Sequence, residues 1–141
     1  MSIEEENKAI VQRFAEEVLQ KHNLSVIDEI ISEEYVLHGP GGQEIKGPEG
    51  FKQLAAISLS GFSDGRFTID DMVAEGDTVA VRYTRTGTHD GEYHGIVPTG
   101  KQIKVPVAFF YRLADGKIIE AVGYSDSLIL LQQLGVSPPS Q

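Results

Sequence analysis

The sequence predicts an α+β fold in which N-terminal helices cover a curled antiparallel sheet, a cone or half-barrel. Two observations predict it. Apolar residues recur at helical spacing up to Gly61, and beyond it the period falls to near 2 with β-branched and aromatic residues dominating. Hairpin-type turns then divide the second half, so the strands follow one another as antiparallel neighbours rather than as a doubly wound parallel sheet.

The first helix opens on Ser2-Ile3-Glu4-Glu5, a capping box in which the Ser2 hydroxyl and the Glu5 carboxylate serve free backbone N–H groups. Ile10, Val11, Phe14, Val18 and Leu19 make its apolar stripe. Asn23 or Ser25 caps a shorter helix with Leu24, Ile27, Ile30 and Ile31 inward, and Tyr35 to His38 reads as a short strand closed by Gly39-Pro40-Gly41-Gly42. Gly47-Pro48-Glu49 starts a third helix, with proline at its tolerated first position and an acid near the positive end. Phe51, Leu54, Ala55 and Leu59 form the stripe of that helix, and Gly61 ends it.

Four strands follow: Arg66–Ala74, Thr78–Thr88, Gln102–Leu113 and Lys117–Ser125. Glu75-Gly76-Asp77 and Asp115-Gly116 are tight turns, and Asp90 to Gly100 is a longer loop. A last helix, roughly Leu128–Leu134, stops at Gly135. Residues 1–135 read as one domain and 136–141, with Pro138-Pro139, as a frayed tail.

Composition narrows the function. The 141 residues carry 12 Lys+Arg against 21 Asp+Glu, a net charge of −9 that disfavours nucleic acid and anionic membrane surfaces. No cysteine is present, which removes disulfides and thiolate metal sites. The acidic N-terminus lacks a signal-peptide pattern and no apolar run is long enough to span a bilayer, so a cytoplasmic protein is expected. Val105 to Tyr111 is apolar at both parities, so both faces of that strand call for burial. A homodimer through the outer sheet face is the expected solution.

Several segments, in order, carry a family resemblance. They are Asp28-Glu29-Ile30-Ile31, Glu34-Tyr35-Val36-Leu37-His38, Gly47-Pro48-Glu49-Gly50-Phe51 and Ala74-Glu75-Gly76-Asp77-Thr78 running on to Tyr83. Gly87-Thr88-His89-Asp90-Gly91, Gly95-Ile96-Val97-Pro98, Asp115-Gly116-Lys117-Ile118 and Leu130-Leu131-Gln132-Gln133-Leu134-Gly135 complete the series. Over about residues 7–135 the chain thereby resembles the SnoaL-like polyketide (ester) cyclases of the nuclear-transport-factor-2 superfamily, whose cone is shared with ketosteroid isomerase.

The resemblance implies a pocket between helices and sheet for a small hydrophobic, polycyclic carbonyl or ester compound. It implies an aldol-type closure driven by an aspartate, with no metal or cofactor. Residue by residue, the family's catalytic aspartate falls on Gly123, its histidine and glutamine on Phe109 and Val107, and its asparagine on Leu37 or, one residue on, His38. His89 matches a polar pocket-region position.

His89, His38 and Asp126 are therefore the candidate catalytic residues, the last as the acid nearest the vacated position. Leu19, Leu37, Phe62, Val107, Phe109, Tyr111 and Gly123 are the candidate pocket lining. Each polar candidate also has a structural alternative: a strand-end hydrogen bond for His38, a loop bond for His89, a helix N-cap for Asp126. Arg82 is either a cavity anchor or a cross-strand partner for an acid. His89, Asp90, Glu92 and His94 suggest a metal site, but side chains five apart on an extended chain point to opposite faces. Three roles stay open: an acid/base enzyme, a non-catalytic binder of a hydrophobic metabolite, or a dimeric scaffold with a filled interior.

Overall fold

The computed structural model describes residues 1–39 and 42–137. Pro40 and Gly41 of the glycine-rich loop, and the end of the expected tail from Pro138, lie outside the described residues. Helix α1 (Ile3–Phe14) begins at Ser2, whose Oγ accepts the Glu5 N–H at 3.1 Å. The Glu5 carboxylate takes up the Ser2 hydroxyl rather than its amide. α1 runs on into a π-helical stretch, Ala15–Gln20, whose hydrogen bonds span one residue more than those of an α-helix and so widen the turn. A 3-10 turn and the short α2 (Ile27–Ile30) follow.

Strand β1 (Ile31–His38) starts four residues earlier than the sequence pattern suggests. Ile31 is thus a strand residue, buried against β6 rather than on a helix face. The three-residue β2 (Glu44–Lys46) pairs back onto β1; too short and too exposed to leave a period in the sequence, it escapes a pattern-based reading. α3 (Gly47–Gly61), β3 (Arg66–Glu75), β4 (Thr78–Thr88), β5 (Gln102–Ala114), β6 (Lys117–Ser125) and α4 (Ser127–Leu134) complete the chain.

The six strands form one sheet in the order β2-β1-β6-β5-β4-β3. The four consecutive strands β3 to β6 pair antiparallel as expected, and β1 makes the sheet mixed by pairing with β6 in parallel, with Leu37 opposite Ala121. A parallel pair needs a long crossover, and here almost the whole intervening chain supplies it. Register shifts interrupt the pairing between Ile69 and Asp71, between Arg112 and Leu113, and between Ile31 and Val36. Such irregularities bend strands and increase twist, and they curl the sheet into an unclosed mixed half-barrel.

Helices α1 and α3 lie over the concave face. Phe14 meets Phe51 edge-on at 5.4 Å and Tyr111 at 6.0 Å, and Tyr35 meets Phe51 at 6.3 Å, so aromatic contacts tie α1, α3, β1 and β5 together. These T-shaped pairs place a ring edge on a neighbour's electron-rich face.

The open end of the cone is latched by polar contacts. Asp64 accepts the Thr88 N–H at 2.7 Å and its hydroxyl at 2.9 Å. Asp90 accepts the Ser63 hydroxyl and, at 3.0 Å, the Ser63 N–H. These donors hold both carboxyls below the usual carboxylate range. Gly91 sits against the end of α3 so closely that a Cβ there would stand 1.9 Å from the Ser60 carbonyl oxygen, a space only glycine fits.

Candidate functional site

Alternation along the strands determines what reaches the interior. On β4 the residues Val79, Val81, Tyr83, Arg85 and Gly87 are buried, while Arg82 between them is exposed. On β5, Val105, Val107 and Tyr111 are buried, with Pro106 and Phe110 on the other face. Above this wall lies a cavity of about 190 Å³. β4 and β5 supply Arg85, Phe109 and Tyr111; β1 supplies Tyr35 and Leu37; α3 supplies Phe51, Leu54 and Ser58. Phe14, Val18, Leu19 and His22 close it from the N-terminal helix and its continuation.

The π-helical stretch explains how that last group arrives. Its wide turns end at Lys21, and His22 then adopts a left-handed φ of 59°. Such a backbone is uncommon for a residue with a side chain, costs roughly 1 kcal/mol, and clusters at functional sites. The imidazole Nε2 lies 2.5 Å from the Gly65 carbonyl oxygen. A carbonyl can only accept, so Nε2 carries a proton in this contact.

Three tyrosines gather at the buried end. The Tyr83 and Tyr111 hydroxyls are 2.8 Å apart, and Tyr35 has no hydrogen-bond partner for its hydroxyl among the described residues. Burial, the largest cause in each case, pushes all three phenols well above their ordinary pKa. They stay protonated at neutral pH and can donate to an oxygen. No Asp or Glu lines the cavity among the described residues.

The candidate catalytic residues do not meet there. His38 follows the inward Leu37 and so faces outward, with its Nε2 3.3 Å from Glu120, which Arg112 also approaches at 3.5 Å. Asp126 is the N-cap of α4, accepting the Ile129 N–H at 3.0 Å. His89 has the inward parity but lies beyond the cavity, fully buried against Phe62. Its Nδ1 accepts the Thr99 N–H at 3.2 Å, and its Nε2 has no partner among the described residues. His89, Asp90, Glu92 and His94 do not converge, and no group of three His, Asp or Glu able to hold a metal ion occurs among the described residues.

Of the candidate lining residues, Leu19, Leu37, Phe109 and Tyr111 border the cavity. Phe62 and Val107 pack in the surrounding core instead. Gly123 is directly opposite Phe109 across the β5–β6 pair, and the Phe109 ring lies over it. A Cβ at position 123 would stand 2.5 Å from Phe109 Cε1.

Five polar lining residues escape the sequence reading: His22, Tyr35, Ser58, Arg85 and Tyr93. Arg85 could have been found, since it shares the parity of Val81 and Tyr83 whereas Arg82 does not. His22 has no comparable signal, because its position depends on the irregular helix end.

The Phe109–Gly123 contact yields a prediction. Gly123→Ala should drive the Phe109 ring off its seat, costing about 1–3 kcal/mol as overpacking. Phe109→Leu in the same chain should recover most of that loss. Urea unfolding of both single variants and the pair measures the coupling, and strictly additive effects would contradict the contact.

The sequence matches the family model for SnoaL-like polyketide cyclases over residues 9–134. Among solved structures, a putative SnoaL-like polyketide cyclase from Jannaschia sp. CCS1 is similar, with a TM-score of 0.89, 26% identity, and coverage of 98% of this chain and 97% of that one. A putative polyketide cyclase from Acidithiobacillus ferrooxidans gives 0.81 at 30% identity, covering 96% of this chain and 98% of that one. A protein from Catenulispora acidiphila with a ketosteroid isomerase-like fold gives 0.77 at 19% identity, covering 91% and 93% respectively, a likeness of fold alone. The comparison with curated proteins finds no match. Nearly the whole described chain thus falls within one family model and superposes on proteins of that family, and the chain belongs to the SnoaL-like polyketide cyclase family.

Proposed function

We propose that the protein takes a small, largely apolar carbonyl compound into its cavity and moves a proton on it, with His22 as the acid/base group. The observation that carries this reading is the polar lining itself. Around an otherwise apolar cavity stand an imidazole, a guanidinium and phenols kept protonated by burial, with no carboxylate among the described residues. Relatives described as polyketide cyclases support a carbonyl-bearing substrate. The volume of about 190 Å³ suits one or two rings, since an engineered cavity of about 150 Å³ admits benzene.

In this reading the neutral His22 Nδ1 takes a proton from the carbon beside the carbonyl. The electron pair moves to the carbonyl oxygen, which Tyr35 and Tyr111 stabilise as hydrogen-bond donors. The imidazolium then returns its proton to carbon. The Gly65 carbonyl holds the ring in one tautomer throughout. Histidine suits both halves of the exchange near neutral pH. A second reading, a non-catalytic binder, draws support from Phe109, whose ring fills the space above Gly123, the position onto which the family resemblance carries its aspartate.

Hydrogen–deuterium exchange separates the two. In D₂O the protein should exchange the α-hydrogens of 2-tetralone faster than buffer does, and His22→Gln should lower the enzymatic rate by roughly 100-fold or more with ketone binding retained. Binding with exchange at the buffer rate in the unaltered protein would contradict proton transfer and leave the binder.

We also propose that a second copy of the chain covers the outer sheet face. Phe110 and Tyr124 touch edge-on there and are 48% and 60% exposed, and Val73 on the same sheet is 62% exposed. Light scattering should give a dimer at micromolar concentration and a monomer for Phe110→Glu; a monomeric unaltered protein would contradict the proposal.

A further inference from the structure

We infer that the cavity's ligand carries a carboxylate on its ring system and that Arg85 receives it. The inference rests on the ligand-binding role proposed above and narrows the ligand to small aromatic or alicyclic acids.

Arg85 lines the cavity and is only 9% exposed. Its guanidinium lies 5.1 Å from the Phe62 ring centre, 5.5 Å from that of Tyr93 and 5.8 Å from that of Phe67. Three aromatic rings thus fix the plane of the cation and shield it from water. Its single polar contact among the described residues is to the neutral Ser58 Oγ, at 3.3 Å. A guanidinium brings five N–H donors, and a buried one is ordinarily paired with an anion. Here no carboxylate is paired with it among the described residues. The acids of the neighbouring loops are engaged elsewhere, Asp64 with Thr88 and Asp90 with Ser63. In a chain of net charge −9, acids are abundant, yet the structure leaves this buried cation without one and sets it beside an apolar cavity.

The planar fork of arginine matches a carboxylate through two parallel hydrogen bonds. A rigid ring carrying a carboxylate therefore suits both halves of the site, its ring among the aliphatic and aromatic lining and its charge on Arg85.

Two probes of nearly equal shape test this by titration followed by NMR: 2-naphthoate and its neutral counterpart 2-acetonaphthone. The unaltered protein should bind the acid roughly tenfold or more tightly than the ketone. Arg85→Met should abolish that preference and keep ketone binding, and Arg85→Lys should retain part of it. The comparison on the unaltered protein stands even if Arg85→Met does not fold. Equal affinity for the two probes would overturn the role of Arg85 and leave the cavity as a ligand site. Binding of neither would overturn both this inference and the proposed function.

Discussion

The constraint on which the rest of the structure depends is the two-residue alternation of β4 and β5 on a curled sheet. A one-residue slip would exchange every inward side chain for an outward one. In the observed register Tyr83, Arg85, Phe109 and Tyr111 share the concave side, while Arg82 and Phe110 face away. The rings of Phe14, Phe51, Tyr35 and Tyr111 then prop the helices on the sheet edge-on. The hollow lies among these rings.

Within that frame, one cross-strand pair changes the chemistry. Family members are expected to carry an acid at the position of Gly123, and here the opposing Phe109 covers it. No carboxylate lines the cavity among the described residues, and Arg85 and His22 are the lining groups able to carry a positive charge. That lining underlies the proposal of an anionic or electron-rich ligand, opposite in sign to a molecule of net charge −9.

Much of the fold was legible in the sequence because its signals are local. The Ser2 cap, the Pro48 helix start, the Asp115-Gly116 turn and the strand periods each depend on a few neighbouring residues, and α1, α3 and β3 to β6 follow them closely. The parallel pairing of β1 with β6 was not legible, since it joins segments about eighty residues apart through no local pattern. The site was legible only in its apolar part. Leu19, Leu37, Phe109 and Tyr111 border the cavity. The polar part depends on parity and on helix geometry. His38 lies one residue past the inward Leu37, and His22 reaches the cavity through the π-helical end of α1. His89 shows the limit of parity alone, for it points inward yet meets Phe62 and the Thr99 backbone instead of the cavity.

The proposed role requires that small ring compounds enter the hollow on the concave face. Intermolecular nuclear Overhauser effects between the ring protons of a bound aromatic carbonyl compound and assigned protein methyl groups test it most directly. Contacts are expected to Val18, Leu19, Leu37 and Leu54, which border the cavity from three separate elements. Contacts confined to Val73 and the outer face of the sheet would contradict it.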